Sequence, residues 1–200
     1  MNTTILRNSV LSIAGLAFAG GIAAGPLTTT SSSSGVESTP VAVAVQAADK
    51  PGVDTAKLIP HGVDGDQSTI TLNDEQNTNA KAIIAATKKA GLDERAAVIS
   101  IGTALQESKL ENLGHLGDRN DHDSQGLFQQ RPTSGWGTVE QITDPEYSTL
   151  AFLKGLKQID GWQDMPLTQA AQTVQVSAYP DAYAQWEQQA ADLVAKHWNS

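Results

Sequence analysis

Residues 93–110, DERAAVISIGTALQESKL, constrain the fold more than any other stretch. Ala96, Ala97, Val98, Ile99, Ile101, Ala104, Leu105 and Leu110 leave a helix here almost no polar side. A helix apolar nearly all round has to be covered from several directions, so this one belongs at the centre of a globular core. Against that background Ser100, Thr103 and Glu107 follow i, i+3, i+7 spacing and share one narrow face. A carboxylate at the end of such a stripe has either a partner or a task. Near the C-terminal end of an apolar helix its ionised form loses solvation and gains nothing from the helix dipole. Both effects raise the pKa of Glu107, the direction a general acid working near neutral pH needs. The alternative is an exposed last turn with Glu107 paired to Lys109 or Arg131, and the pattern alone leaves the two readings level.

The rest of the folded chain is organised around that helix. Asn73 or Asp74 is placed to cap a helix carrying Ala80, Ile83, Ile84 and Thr87 on one face, which Gly91 ends. Asp93 caps the apolar helix. From 111 to 136 the helical period is lost, and Gly114, Gly117, Gly126 and Gly135 mark a loop with room for a small hairpin at 126–130. Thr138-Val-Glu-Gln141 then has the form of a capping box, and Asp144-Pro145 is a cap followed by proline in the first turn. Leu150, Leu153 and Leu156 continue that helix, and Pro166 precedes another with Leu167, Ala170, Ala171, Val174 and Ala178 in register. Pro180-Asp181 opens a last helix with Tyr183, Trp186, Ala190, Leu193 and His197 at 3/4 spacing. The class is α+β, mainly α: one domain at 69–200 with a small β-hairpin beside a helical bundle.

Hydrophobic residues make up 40% of the 200, enough for such a core. A formal net charge of −9 argues against nucleic acid or an anionic membrane as the main partner. The absence of cysteine excludes disulfides and thiolate metal sites but not export. Export is read from the first residues, where Arg7 is the only charge before Glu37 and VLSIAGLAFAGGIAA follows it. Residues 1–24 are expected to be a secretory signal, cleaved after Ala24 or alternatively after Ala47. A retained signal anchor is the competing reading, although a convincing span needs roughly 20 strongly apolar residues. Residues 25–68, with TTTSSSSG and LIPHGVDGDQ, bury little and read as a flexible linker or pro-segment outside the fold. The expected location is extracellular or on the cell wall.

ALQESKLEN, DSQGLFQQ and SAYP occur in that order. Together they resemble the lysozyme-like domain of soluble lytic transglycosylases and related muralytic enzymes. In that family an E-S pair ends a buried helix, G-L-M-Q follows in a hairpin, and A-Y-N comes later. Here the corresponding residues are Glu107-Ser108, Gly126-Leu127-Phe128-Gln129 and Ala178-Tyr179. The chain is more similar still to secreted bacterial lysozyme-like proteins marked by DS-x-GLFQQRP-x-x-GWG and SAYPDAY, over nearly all of 74–198. The resemblance implies a lysozyme-like fold and cleavage of the peptidoglycan β-1,4 bond between N-acetylmuramic acid and N-acetylglucosamine. It implies Glu107 as the single acid/base, protonating the glycosidic oxygen. In a lytic transglycosylase the same carboxylate then takes the proton of the muramic C6 hydroxyl, leaving a 1,6-anhydro end. It further implies that Gly126 lets the backbone approach the glycan, that Gln129 lines the cleft and that Tyr179 hydrogen-bonds near Glu107. Phe128 stands where the family has Met, and Pro180 where its Asn follows the Tyr. Pro180 removes a contact to sugar or carboxylate and favours the rival class, a non-catalytic peptidoglycan-binding or wall-associated module.

Other residues stand beside that resemblance. Asp123, just ahead of the hairpin, is with Asp118 and Asp121 a candidate second carboxylate and glycan contact. The bland alternative is a solvated polar loop. A calcium loop would need a bidentate Glu where Pro132 stands, and His115 with His122 fits no standard zinc spacing. No metal and no cofactor is therefore expected. Trp136, between glycines in SGWGT, either stacks on a sugar or plugs the loop onto the core. Tyr183 and Trp186 read as packing. Ser108, at the edge of the glycan site, lacks a nucleophile elbow and reads as a local hydrogen-bonding group. The expected partner is the glycan strand, without nucleic acid or a stable membrane span after processing, and the chain is expected to act as a monomer.

Overall fold

The computed structural model describes residues 53, 55–117, 122–177 and 179–200. The expected signal at 1–24, the linker as far as 52, and Asp118, Asp121 and Ala178 lie outside the described residues. Within them the protein is mainly helical and has no strand. The helices are α1 (Thr55–Leu58), α2 (Asp74–Lys89), α3 (Glu94–Ser108), α4 (Val139–Ile142), α5 (Pro145–Leu156), α6 (Leu167–Gln175) and α7 (Glu187–His197). Short 3-10 turns occupy Pro132–Ser134, Trp162–Asp164 and Ala184–Trp186. No helix among the described residues is long and apolar enough to cross a membrane.

Caps fall where the local sequence puts them. Asn73 accepts from the Gln76 amide while the Gln76 side chain accepts from the Asn73 amide, and Thr138 and Gln141 repeat the box. Asp93 and Asp144 accept from the amides of Ala96 and Tyr147. Each cap contributes about 1 kcal/mol by satisfying amides that the first turn leaves bare.

Twelve of the fifteen residues of α3 are buried. Helices α1, α2, α5, α6 and α7 all pack against it, which is what an all-round apolar surface requires. Ile99 and Ile101 are fully buried; such side chains contribute about 1.5–3 kcal/mol each. Gly102 lets α6 come close, because a Cβ there would lie 2.6 Å from Leu167 Cδ1. The polar stripe resolves differently from its pattern. Ser100 donates to the Ala96 carbonyl at 2.8 Å and Thr103 to that of Ile99 at 2.7 Å. Both hydroxyls are satisfied by their own helix and stay inside the core. Only Glu107 carries the stripe outward.

Three expectations about extent need correction. The ordered chain begins before Thr69: Leu58 is fully buried, and its carbonyl accepts from the Arg95 guanidinium at 2.7 Å. Arg95 also pairs with Glu187 at 2.7 Å, both side chains 4% exposed, so one buried cation joins α1 to α7. Residues 67–70 continue the attachment, with the Gln189 amide donating to and accepting from the Ile70 backbone. The stretch 55–68 looked unstructured because its anchors are single residues without period. The last helix starts at Glu187 rather than Pro180, after a turn and a 3-10 segment. The hairpin is reduced to one antiparallel bridge, Gln125 to Gln130, with reciprocal backbone bonds of 3.0 and 3.1 Å.

Candidate active site

Glu107 lies one residue before the end of α3, half-buried. The Tyr183 hydroxyl donates to its Oε1 at 2.6 Å. Tyr183 is itself fully buried. Burial foremost, then the charge and hydrogen bond of Glu107, push the phenol far above its usual pKa, against a smaller opposing effect of Ser177. It therefore remains a donor at any working pH. Lys109 lies on the other side of the carboxylate in sequence. Burial lowers its pKa, while the negative charge of Glu107 acts in the opposite sense. Its ammonium donates to the Leu105 carbonyl at 3.1 Å and sits 4.3 Å from the centre of the Trp186 ring. The hydroxyl and the ammonium favour the charged carboxylate, whereas partial burial disfavours it. The sequence brings out burial and the dipole, and offers Lys109 only as the partner of an exposed Glu107. Beside them Gln106 Oε1 accepts from Trp186 Nε1 at 2.8 Å and from Gln185 Nε2 at 3.1 Å.

Two strained residues follow the last turn of α3. Lys109 and Leu110 adopt φ of 57° and 65°, a left-handed pair without glycine that turns the chain away from α3. The carbonyls of that pair are held from α2: Gln76 Nε2 donates to Lys109 O and Asn79 Nδ2 to Leu110 O, both at 2.8 Å. Gln76 and Asn79 are buried. Their amides thus fix where the last turn of α3, and Glu107 with it, ends.

The 125–130 turn adjoins this helix end through Ser108, whose hydroxyl donates to Ala104 O at 3.2 Å and Leu127 O at 2.8 Å. Ser108 is 5% exposed and bonded inward, so it positions the turn and presents no group to a ligand. Gly126 has φ of 78°, and a Cβ there would stand 2.0 Å from the Ile142 carbonyl oxygen. The protein's own backbone, at Ile142, stands where a side chain at 126 would go, and this alone requires the glycine, whereas the resemblance assigned it to the approach of a glycan. Gln129, also left-handed at φ 46°, folds its amide back onto the Gly126 carbonyl at 3.0 Å. Phe128 is buried and stacks on Phe152 with centroids 5.1 Å apart, and its carbonyl accepts from Gln175 at 2.9 Å.

Tyr179 is 50% exposed, and the phenol on Glu107 belongs to Tyr183 instead. Pro180 has a part in this exchange. It occupies the second position of a turn closed by Ala182 N to Tyr179 O at 3.2 Å, and its carbonyl accepts from Thr168 at 2.5 Å. That turn delivers Tyr183 to α3.

Asp123 accepts from Arg131 Nε at 2.7 Å and from the amide and hydroxyl of Thr133, each at 2.9 Å. Burial raises its pKa, but the bonds from Arg131 and Thr133 outweigh burial and hold it at about 2. It is a clamp on the Pro132–Ser134 turn, committed on both oxygens, rather than a second acid. Trp136 is half-buried and packs against the core from the loop side. Among the described residues no three His, Asp or Glu side chains come together as a metal site.

Sequence reasoning missed Tyr183, Gln76 and Asn79 as site residues. Tyr183 closes the SAYPDAY motif, but its helical spacing reads as packing, and nothing local links it to Glu107, 76 positions away. Gln76 and Asn79 extend the buried face of Ala80 and Ile83, and amides on an apolar face are a usable sign. Comparisons with family models and with curated proteins return no match for this chain.

Proposed function

We propose that this chain is a secreted, lysozyme-like enzyme that cleaves the peptidoglycan β-1,4 bond between N-acetylmuramic acid and N-acetylglucosamine, as a lytic transglycosylase. The observation that carries the reading is Glu107: a carboxylate at the end of a buried helix, oriented by a phenol at 2.6 Å and bordered by the 125–130 turn. The protonated Glu107 gives its proton to the glycosidic oxygen as the bond to the muramic C1 breaks. The carboxylate left behind accepts the proton of the muramic C6 hydroxyl, whose oxygen closes onto C1. A sugar lying against half-buried Glu107 lowers its exposure to solvent, which works toward the protonated form. Asp123 is engaged by Arg131 and Thr133, which supports a route with one carboxylate over one with two. Pro180, read from sequence as the mark of a silent module, lies in the turn that brings Tyr183 to Glu107, and this favours the enzyme.

The test is the chemistry of the product ends. The purified chain is incubated with peptidoglycan in isotopically heavy water, and soluble fragments are analysed by mass spectrometry. A transglycosylase gives 1,6-anhydro ends and takes no oxygen from solvent. Reducing ends carrying solvent oxygen identify a hydrolase. Binding without release identifies the non-catalytic module.

A further inference from the structure

A concavity lies between the 134–136 loop, α5 and α6. It encloses about 790 Å³, within the range of small-ligand sites. Trp136, Tyr147, Leu150, Lys154, Gln158 and Val174 are among its walls. A smaller hollow of about 240 Å³ shares Leu150, Lys154 and Gln158 with it and adds Lys157, so one groove runs along α5. Gly155 keeps the floor narrow, since a Cβ there would meet Val174 Cγ1 at 2.9 Å.

The charge of this groove runs against that of the protein. Asp and Glu number 22 against 13 Lys and Arg in the chain, yet the described lining of both hollows contains two lysines and no carboxylate. Glu146, next to Tyr147, is drawn away by Lys89 at 2.5 Å. Two aromatic side chains, an apolar floor, an amide and two ammonium groups suit a ligand with an extended amide backbone and carboxylates. An uncharged sugar chain would leave the lysines unused. In a protein of net charge −9, an anionic ligand is drawn to the cationic groove rather than to the surrounding surface.

We propose that this groove binds a short carboxylate-bearing peptide. Resting on the function proposed above, that peptide is the stem attached to the muramic residue. The stem would be gripped on α5 and α6 while the glycan lies against Glu107.

The isotope-labelled full chain is titrated with the synthetic peptide N-acetyl-Ala-γ-D-Glu-Lys-D-Ala, which has two free carboxylates, while amide signals are followed by NMR. Saturable shifts at Gly155 and at the Trp136 indole are expected. They weaken about tenfold in a Lys154→Glu/Lys157→Glu double variant, and likewise when the peptide carboxylates are amidated. Both lysines are exposed, so the variant keeps its fold, which a thermal melt verifies. Absence of saturable shifts, or shifts equal in the variant, overturns the proposal. Cleavage of peptide-free glycan is measured separately. Peptide binding without cleavage leaves the groove standing and removes the enzyme, whereas cleavage without binding does the reverse.

Discussion

Replacing Tyr183 by Phe removes one oxygen atom from the centre of the site and nothing else. The ring is fully buried and its packing is preserved. The lost bond is a 2.6 Å hydroxyl-to-carboxylate contact, and such a charge-assisted bond is worth about 1.5–3 kcal/mol. Glu107 is half-buried and regains part of that from water, so stability falls by no more than about 1 kcal/mol. Turnover loses the orientation. At about 1.4 kcal/mol per factor of ten, kcat drops about 10- to 100-fold, with KM changing by less than about twofold. The pH profile carries a second signature. The hydroxyl favours the negative charge on Glu107, so its removal moves the limb assigned to Glu107 toward higher pH. Tyr183 does not titrate in this range, because burial and the neighbouring carboxylate hold its proton. The assay is the initial rate of muropeptide release across pH, with a thermal melt as the control for folding. An intact variant with unchanged kcat and an unchanged profile would refute the positioning of Glu107 by Tyr183.

Three further outcomes are expected. Gly126→Ala places a methyl 2.0 Å from the Ile142 carbonyl in a left-handed conformation; urea unfolding should register a loss of about 3 kcal/mol or more. Asn79→Ala leaves the Leu110 carbonyl without its donor; the expected cost is about 1–3 kcal/mol, with reduced turnover because the strained end of α3 loosens. Asp123 has a folded pKa of about 2, below the value of about 3.9 in an unfolded chain. Its stabilising share is therefore complete above about pH 4 and disappears as pH falls toward 2, and melting midpoints of Asp123→Asn should lack that component.

How far the sequence reveals this arrangement differs from element to element. The central helix, its Asp93 cap and the capping boxes at Asn73 and Thr138 are local patterns, and local patterns can be read residue by residue. Glu107 stands out for the same reason, as a carboxylate on an apolar helix. Its partner does not. The sequence motif directs attention to Tyr179, while the Pro180 turn passes that tyrosine to solvent and brings Tyr183 inward. Gly126 shows the same limit. A glycine next to a proposed cleft suggests room for substrate, and only the position of Ile142 reveals that the room is taken by backbone. The tethers at Arg95 and Gln189 connect residues far apart through single side chains, so no period announces that residues 55–70 join the fold. The paired hydroxyls of Ser100 and Thr103 make the opposite point, since the pattern suggests a polar face that the helix absorbs into itself.

The proposed chemistry rests on one carboxylate, Glu107. Its most direct test compares the chain with Glu107→Gln on the same purified peptidoglycan, following soluble fragments over time. The amide keeps the shape of the site and can still meet the Tyr183 oxygen, but it cannot give up and retake a proton. Rapid release of fragments by the unmodified chain and a fall of at least about a thousandfold in the variant are expected, with glycan binding retained. Release at an undiminished rate by Glu107→Gln would contradict that chemistry.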